Sequence, residues 1–275
     1  MDERLAPNQE WWDERVAGHV ASEFYDVTRF RQGGSTLRPF EVEEVGAVTG
    51  KRLAHLQCHF GLDSLSWARA GATVVGLDFS EPAVEAANQL AAETGLDARF
   101  VQSDVYDAVA ALGNERFDVV YTGLGAINWL PDLPRWAGVI AELLEPGGFL
   151  YVSEFHPLTW IFADHEPVIE LDYFHNPEGE RFLDDEQASY ADPSRPASSV
   201  TTIEWAHTLG DVVSAVLGAG LRLEVLREHD YTLFPRFSHL IEDRDYLSAG
   251  VVYRQPEGQP RLPLMYSLRA SKQSS

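Results

Sequence analysis

Residues Leu53 to Ser80, LAHLQCHFGLDSLSWARAGATVVGLDFS, constrain the fold of this chain more than any other stretch. A short apolar run, Leu53 to Leu56, meets a loop that ends at Gly61. A helix follows and stops at Gly71, where glycine suits the left-handed cap position. Thr73 to Leu77 is a second apolar, β-branched run, and Asp78 stands at its end. Strand, tight loop, helix, strand and terminal acid make half of a nucleotide-binding α/β unit. In such a unit the loop lets backbone approach the ligand, and the acid accepts hydrogen bonds from ribose hydroxyls.

Two glycine patterns test which nucleotide. The dinucleotide pattern G-x-G-x-x-G needs glycines at 57, 59 and 62, and the chain has Gln57, His59 and Leu62. The S-adenosylmethionine (SAM) pattern G-x-G-x-G needs them at 57, 59 and 61, and only Gly61 is present. The order of later elements takes the argument further. Phe100 to Asp104 is a third strand ending in an acid, suited to an adenine amino group. Phe117 to Gly123 is a fourth strand running into a glycine-containing loop, and Leu143 to Val152 combines a helix end, a Pro-Gly-Gly turn and a fifth strand. On these motifs the chain resembles the class I SAM-dependent methyltransferases, and within them a bacterial subgroup whose first loop reads LQCHFGLD in place of LDxGCGxG. The resemblance is strongest from Leu53 to Pro157. It takes in NQEWWD at residues 8–13, EWAHTLGD at 204–211 and LPLMYSLRASK at 262–272.

Composition narrows the partners. A net charge of −22 repels phosphate backbones, which argues against a nucleic-acid substrate. Hydrophobic content of 45% supports a substantial core. The single cysteine, Cys58, cannot form an internal disulfide, and the N-terminus shows no apolar signal segment, so a cytoplasmic location is expected. No apolar run approaches a membrane span. Oligomeric state is not legible in the sequence.

The alternation of helical and strand patterns from Leu53 to Ser153 predicts a parallel sheet with helices on both faces. The resemblance implies the fuller architecture: an α/β, Rossmann-like, doubly wound seven-stranded sheet whose last strand is antiparallel, with an N-terminal helical segment and a lid insertion after strand five. The expected divisions are residues 1–50 as a helical cap, 51–156 as the SAM-binding core, 157–205 as the lid or substrate insertion, and 206–275 as the closing part of the sheet. Within the insertion, Val168 to Phe174 and Ser198 to Trp205 alternate with period two and are expected to pair across a turn at Asn176 to Gly179. A helix is expected over His207 to Ala219. Residues 231–261 read as a long irregular loop.

The resemblance implies SAM as cofactor and assigns its contacts residue by residue. Gln57, Cys58, His59 and Gly61 wrap the methionyl end. Gln57 and His59 stand where glycines are usual, and they either narrow the pocket or contact the SAM carboxylate. His55 stands where the family carries an acid. Asp78 takes the ribose hydroxyls and Phe79 covers the adenine. Asp104 and the Val105 backbone take the adenine edge, and Thr122 and Gly123 lie near the sulfonium. Each has a plainer explanation: Asp78 precedes the helix cap Ser80, and Asp104 is a loop acid. Cys58 as a nucleophile is disfavoured.

The expected reaction is methyl transfer to O, N or C of a small-molecule acceptor. Candidate bases lie at the ends of strands four and five: His156 first, then Glu154, with Asn128 in the same region and Tyr25 from the N-terminal segment. His156 serves equally well as a structural group at the turn. His207 reads as a polar residue at a helix start. Trp12, Tyr25, Trp129 and Trp160 are candidate pocket walls or simply core. His156, His165 and His175 with Asp164, Glu166 and Asp172 lack metal-ligand spacing, so no metal is expected. Two other SAM-binding classes stay open, a cyclase using the aminobutyryl portion and a non-catalytic binding module. An NAD-dependent oxidoreductase is disfavoured by the failed dinucleotide pattern.

Overall fold

The computed structural model describes residues 2–162, 168–183, 188–196, 198, 201–244 and 251–274. Helix α1 (Ala6–Ala21) begins with Pro7 in its first turn and buries Asn8, Val16 and His19. Short helices α2 (Val27–Arg31) and α3 (Pro39–Val45) follow, α2 capped by Asp26 and α3 carrying a capping box closed by Glu41. These elements form the expected N-terminal helical segment.

The core then alternates: β1 (Arg52–Leu56), α4 (Leu62–Arg69), β2 (Thr73–Asp78), α5 (Glu81–Thr94), β3 (Ala98–Gln102), α6 (Ala108–Ala111), β4 (Phe117–Thr122), α7 (Leu133–Leu143) and β5 (Leu144–Phe155). Local chemistry sets the boundaries. Ser80 caps α5 through the Ala83 amide, and Gly95 ends that helix at φ 64°. Asp132 caps α7, which buries Leu133, Trp136, Ala137, Ile140 and Leu143 along one face. The Pro-Gly-Gly segment lies inside β5, where the register against β4 shifts between Phe117 and Val119.

The insertion carries β6 (Glu180–Leu183), β7 (Ala188–Ser189), β8 (Asp192–Pro196) and β9 (Thr201–Glu204). After it come α8 (Leu209–Gly218), β10 (Arg222–His229), β11 (Tyr231–Thr232), β12 (Ile241–Asp243), β13 (Val252–Arg254) and β14 (Met265–Ser271). Seven strands make one sheet in the order β10-β14-β5-β4-β1-β2-β3. The closing strand β14 is antiparallel to both neighbours, as expected. β1, β2, β4 and β5 are buried almost throughout, because helices cover both faces. One core lies among Leu56, Val120, Trp136 and Leu150, and a second on the opposite face among Leu53, Trp67, Tyr121 and Tyr151.

Three expectations are corrected. The turn at Asn176 to Gly179 forms, with the Gly179 amide donating to the Asn176 carbonyl at 3.0 Å. The strand pairing with Thr201–Glu204 is nonetheless β6, which follows the turn, and not Val168 to Phe174. Gly179 sits where a Cβ would lie 2.7 Å from Ile203 and 2.9 Å from Trp205, so the chain after it is drawn onto β9. Val168 to Phe174 contributes only a bridge between Ile169 and Phe162 and leaves Val168, Ile169 and Phe174 exposed. Residues 231–261 are not wholly irregular: β11, β13 and β12 form a small antiparallel sheet, with Tyr231 and Val252 buried beside Phe40. Helix α8 starts at Leu209 because Thr208 and Asp211 close a capping box ahead of it, which leaves His207 outside the helix.

Among the described residues, no helix is long and apolar enough to cross a membrane. None of their His, Cys, Asp and Glu groups is clustered to hold a metal ion. His165, Asp164 and Glu166 lie outside the described residues.

Candidate functional site

The carboxyl ends of β1, β2, β3 and β4 converge on a cavity of about 140 Å³. Gln57, His59, Asp78, Phe79, Ser103, Asp104, Val105 and residues 124–126 contribute from the sheet side; Trp12, Tyr25, Trp129 and Tyr190 close it from above. Six of the ten residues assigned to the cofactor are therefore on the wall: Gln57, His59, Asp78, Phe79, Asp104 and Val105.

The loop after β1 turns tightly without its glycines. Gln57 and His59 hold φ at 57° and 51°, a left-handed conformation that costs a non-glycine residue roughly 1–2 kcal/mol each. Both side chains find partners that hold them there. Gln57 Nε2 donates to the Ala126 carbonyl at 2.8 Å, and His59 Nε2 lies 2.8 Å from His19 Nδ1 on α1. Gly61 does need to be glycine: φ is 80°, and a Cβ would lie 2.6 Å from the Phe100 ring. Gly61 shapes the loop from behind the cavity wall. Cys58 turns inward, packing with Val16 and Phe60, and burial pushes its thiol well above the usual range. A buried thiol held in its protonated form is no nucleophile.

Asp78 stands at the centre of the wall. Its Oδ2 accepts the His59 amide at 2.7 Å and its Oδ1 accepts the Ser80 amide at 3.0 Å, so one carboxylate holds the first loop against the start of α5. Each oxygen keeps a lone pair for a ligand hydroxyl. Burial raises this carboxyl to about 6, opposed by the Ser80 and His59 amides. Phe79 presents its ring to the cavity while its carbonyl accepts from Gln9 and Gln102. Asp104 uses Oδ1 to cap the turn at Tyr106, at 3.0 Å, and Val105 supplies an apolar wall beside it.

Thr122 and Gly123 stand off the wall. Thr122 is fully buried with its hydroxyl unpartnered among the described residues, and the loop instead presents Leu124, Gly125 and Ala126. Gly123 faces His55, whose Nε2 would lie 3.6 Å from a Cβ there. His55 is bonded to Ser64 Oγ at 2.7 Å and packed edge-on against Tyr121; burial lowers it to about 3, so it is neutral.

The three catalytic candidates separate. Tyr25 is on the cavity, its ring tilted against His19 and His59 and edge-on to Phe60, with its hydroxyl bonded to Tyr190 Oη. Glu154 is buried and committed: Oε1 accepts the Ala126 and Ile127 amides at 2.8 and 3.0 Å, while Oε2 accepts those of Gly125 and Phe155 at 2.6 and 2.8 Å. It moulds the β4 loop that forms the wall and has no lone pair aimed at the main cavity. His156 is away from that cavity. Its Nδ1 accepts the Leu158 amide at 3.1 Å, and its Nε2 donates to Glu228 at 3.0 Å. Of its two sequence explanations, the geometry matches the structural one. His207 is bonded to the Leu130 carbonyl and stacked on His175. With Asn128, Trp160 and Glu154 it lines a separate space of about 20 Å³, room for roughly one water.

Sequence reasoning missed His19, Ser189 and Tyr190. His19 is fully buried, bridging His59 and Ser189 Oγ, the latter at 2.7 Å. The available signal was its position seven residues after Trp12, which puts both on one helix face; their rings are 6.0 Å apart. Ser189 and Tyr190 carried no local signal. Among the described residues lining the cavity there is no lysine or arginine.

Residues 44–150 match the family model described as Methyltransferase domain. The CcbJ methyltransferase from Streptomyces caelestis superposes with a TM-score of 0.61 at 15% identity, covering 96% of this chain and 98% of that one. The glycopeptide N-methyltransferase MtfA, solved in complex with SAM, gives 0.52 at 16% identity over 84% and 91% of the two chains. The fold is that of the class I SAM-dependent methyltransferases. The ubiquinone biosynthesis O-methyltransferase of Salmonella arizonae is 30% identical over 156 residues, 56% of this chain; the chain spans 60% of that relative's length. The family match lies over the alternating core, and the shared fold extends across most of the chain.

Proposed function

We propose that this protein transfers a methyl group from SAM to O, N or C of a small-molecule acceptor. The observation that carries the reading is the wall itself: the β1 loop, Asp78 at the end of β2 and Asp104 after β3, delivered by three neighbouring strands to one cavity. The residues present fit the cofactor. Asp78 offers two acceptors for paired ribose hydroxyls, and Leu77, Phe79 and Val105 offer apolar cover for a purine. Gln57 Oε1 is buried and unpartnered among the described residues, an orphan acceptor on the wall that suits an ammonium group.

When bound, SAM supplies an electrophilic methyl carbon on a sulfonium, so the protein's work is positioning and exclusion of water. Glu154 holds the β4 loop rigid through four amides, and the loop in turn receives the Gln57 side chain. Trp12, Tyr25 and Trp129 shield the cavity from the N-terminal side and from the β4 loop. From the insertion, Tyr190 closes on Tyr25 over the cavity and supplies the lid contact. The acidic surface and the absence of a cation among the described lining residues favour a small, uncharged or cationic acceptor over nucleic acid. The O-methyltransferase name of the Salmonella relative is in keeping with a small-molecule acceptor.

The test is calorimetric titration with SAM, S-adenosylhomocysteine and NADH, followed by transfer of labelled methyl to a small-molecule panel. Binding of SAM and S-adenosylhomocysteine but not NADH is the expected result. A folded protein that binds no SAM overturns the reading.

A further inference from the structure

His59, His19 and Ser189 form one hydrogen-bonded chain running from the cavity wall into the protein. His59 lies on the wall; its Nε2 is 2.8 Å from His19 Nδ1, and His19 Nε2 is 2.7 Å from Ser189 Oγ. A nitrogen-to-nitrogen hydrogen bond between two imidazoles needs one donor and one acceptor, so the chain has two directions. If His19 donates to Ser189, then His59 donates to His19, and the remaining nitrogen, His59 Nδ1, is left as a lone pair. If Ser189 donates inward, His59 Nδ1 carries a proton and the wall presents no base. Among the described residues, His59 Nδ1 has no partner of its own.

The surroundings keep this chain neutral and fixed. Trp12 and His19 face the His59 ring from α1, and Tyr25 and Phe60 pack on it. Asp78 grips its backbone amide from β2. Tyr190 covers His19 from the insertion. Burial lowers His19 to about 4, reinforced by the charge of Arg15, and burial also takes His59 well below its usual value. Both rings are therefore unprotonated at neutral pH, and the same burial weakens them as bases, so His59 takes a proton only as the methyl group is transferred.

We propose that His59 is the catalytic proton acceptor for a neutral phenolic hydroxyl, that His19 is the positioning residue behind it, and that Ser189 anchors the direction of the chain. The proposal rests on the methyl-transfer reading above. The aromatic walls Trp12, Tyr25, Trp129 and Tyr190 suit a flat ring, and a cavity with no lysine or arginine among its described lining suits an acceptor that arrives uncharged. In the step, the hydroxyl oxygen forms a bond to the methyl carbon as the carbon–sulfur bond breaks. The electron pair of that bond leaves on sulfur, and the hydroxyl proton passes to His59 Nδ1. His59 then carries the charge with its Nε2 hydrogen bond to His19 intact. The function of this arrangement is general-base assistance, whose ordinary contribution is about 10²–10⁴-fold.

Two measurements test it. Long-range nitrogen–proton NMR of the full chain, with His19→Gln used to assign signals, reads the His59 tautomer directly. Hydrogen on Nε2 and a bare Nδ1 is the expected pattern; hydrogen on Nδ1 overturns the proposal whether or not SAM binds. The second measurement compares methyl transfer to catechol, protonated at neutral pH, with transfer to 4-nitrocatechol, which ionises far more readily. His59→Asn is the variant of choice because asparagine tolerates the left-handed backbone at this position. The catechol-to-nitrocatechol rate ratio should fall about 100-fold in His59→Asn and by a smaller factor in His19→Gln. Any loss of cofactor binding cancels in the ratio. An unchanged ratio overturns the base assignment, as does a wild-type protein that binds SAM yet methylates neither phenol. A wild-type protein that binds no SAM refutes the methyl-transfer reading instead.

Discussion

The end of the cavity proposed for the nucleoside and the end proposed for the acceptor are made from the chain in different ways. At the first, Asp78 and Asp104 arrive from the ends of consecutive strands, each beside the loop that its own strand feeds. At the second, His59 meets His19 across 40 residues and His19 meets Ser189 across 170. The first end is a property of the α/β repeat, where every parallel strand delivers its last residue to the same edge of the sheet. The second exists only once α1 and the insertion have docked. Asn8 marks that docking: it exchanges two hydrogen bonds of 2.7 Å with the Ile203 backbone, so α1 borrows the free edge of β9. A ligand contact made by the repeat is thus robust to changes in the cap, whereas the acceptor end depends on three segments keeping one arrangement.

The sharpest way to break the comparison is at Asp78. Asp78→Ala removes two ligand acceptors and frees both the His59 and Ser80 amides. Hydrogen bonds to a charged group contribute about 1.5–3 kcal/mol each, so SAM affinity should fall at least about 100-fold by calorimetry. A loss under tenfold would place the nucleoside elsewhere.

Glu154→Gln probes the scaffold rather than the ligand. The amide can accept at one oxygen only, and its NH₂ would face two backbone donors in a buried site. Stability should fall by about 3 kcal/mol in urea denaturation. If Glu154 were instead a base with a free oxygen, activity would collapse while stability held.

The smallest effect is the pH dependence of the nucleoside end. Burial raises the Asp78 carboxyl from 3.8 to about 6. Between those values the native state binds the proton and the unfolded chain releases it, so the contribution of Asp78 to stability falls as pH rises through this window. Ligand binding runs the other way, because ribose hydroxyls donate to the ionised form. SAM affinity should therefore weaken below about pH 6, by up to tenfold per pH unit, and Asp78→Asn should flatten the dependence. The same profile in Asp78→Asn would assign the titration to another group.

Much of the fold was legible because its signals are local. Apolar runs of strand length, glycines at helix ends and the cap Ser80 each act within a few residues. The insertion was less legible: the alternation of Val168 to Phe174 was real, but pairing is chosen by where Gly179 and Trp205 pack, which lies outside the strand's own pattern. The same holds for His156 and Glu154. Their position after β5 was readable, whereas the direction of their side chains was set by amides of other segments.

The sequence by itself determined the doubly wound sheet, the acid-bearing strand ends and the departure of the first loop from glycine. Strand period, chain direction and terminal residues are written locally, and parallel topology then brings them to one edge. Tertiary structure alone decided what Gln57 and His59 do. A side chain at positive φ is strained until something holds it, and the groups that hold these two, Ala126 and His19, are far away in the chain.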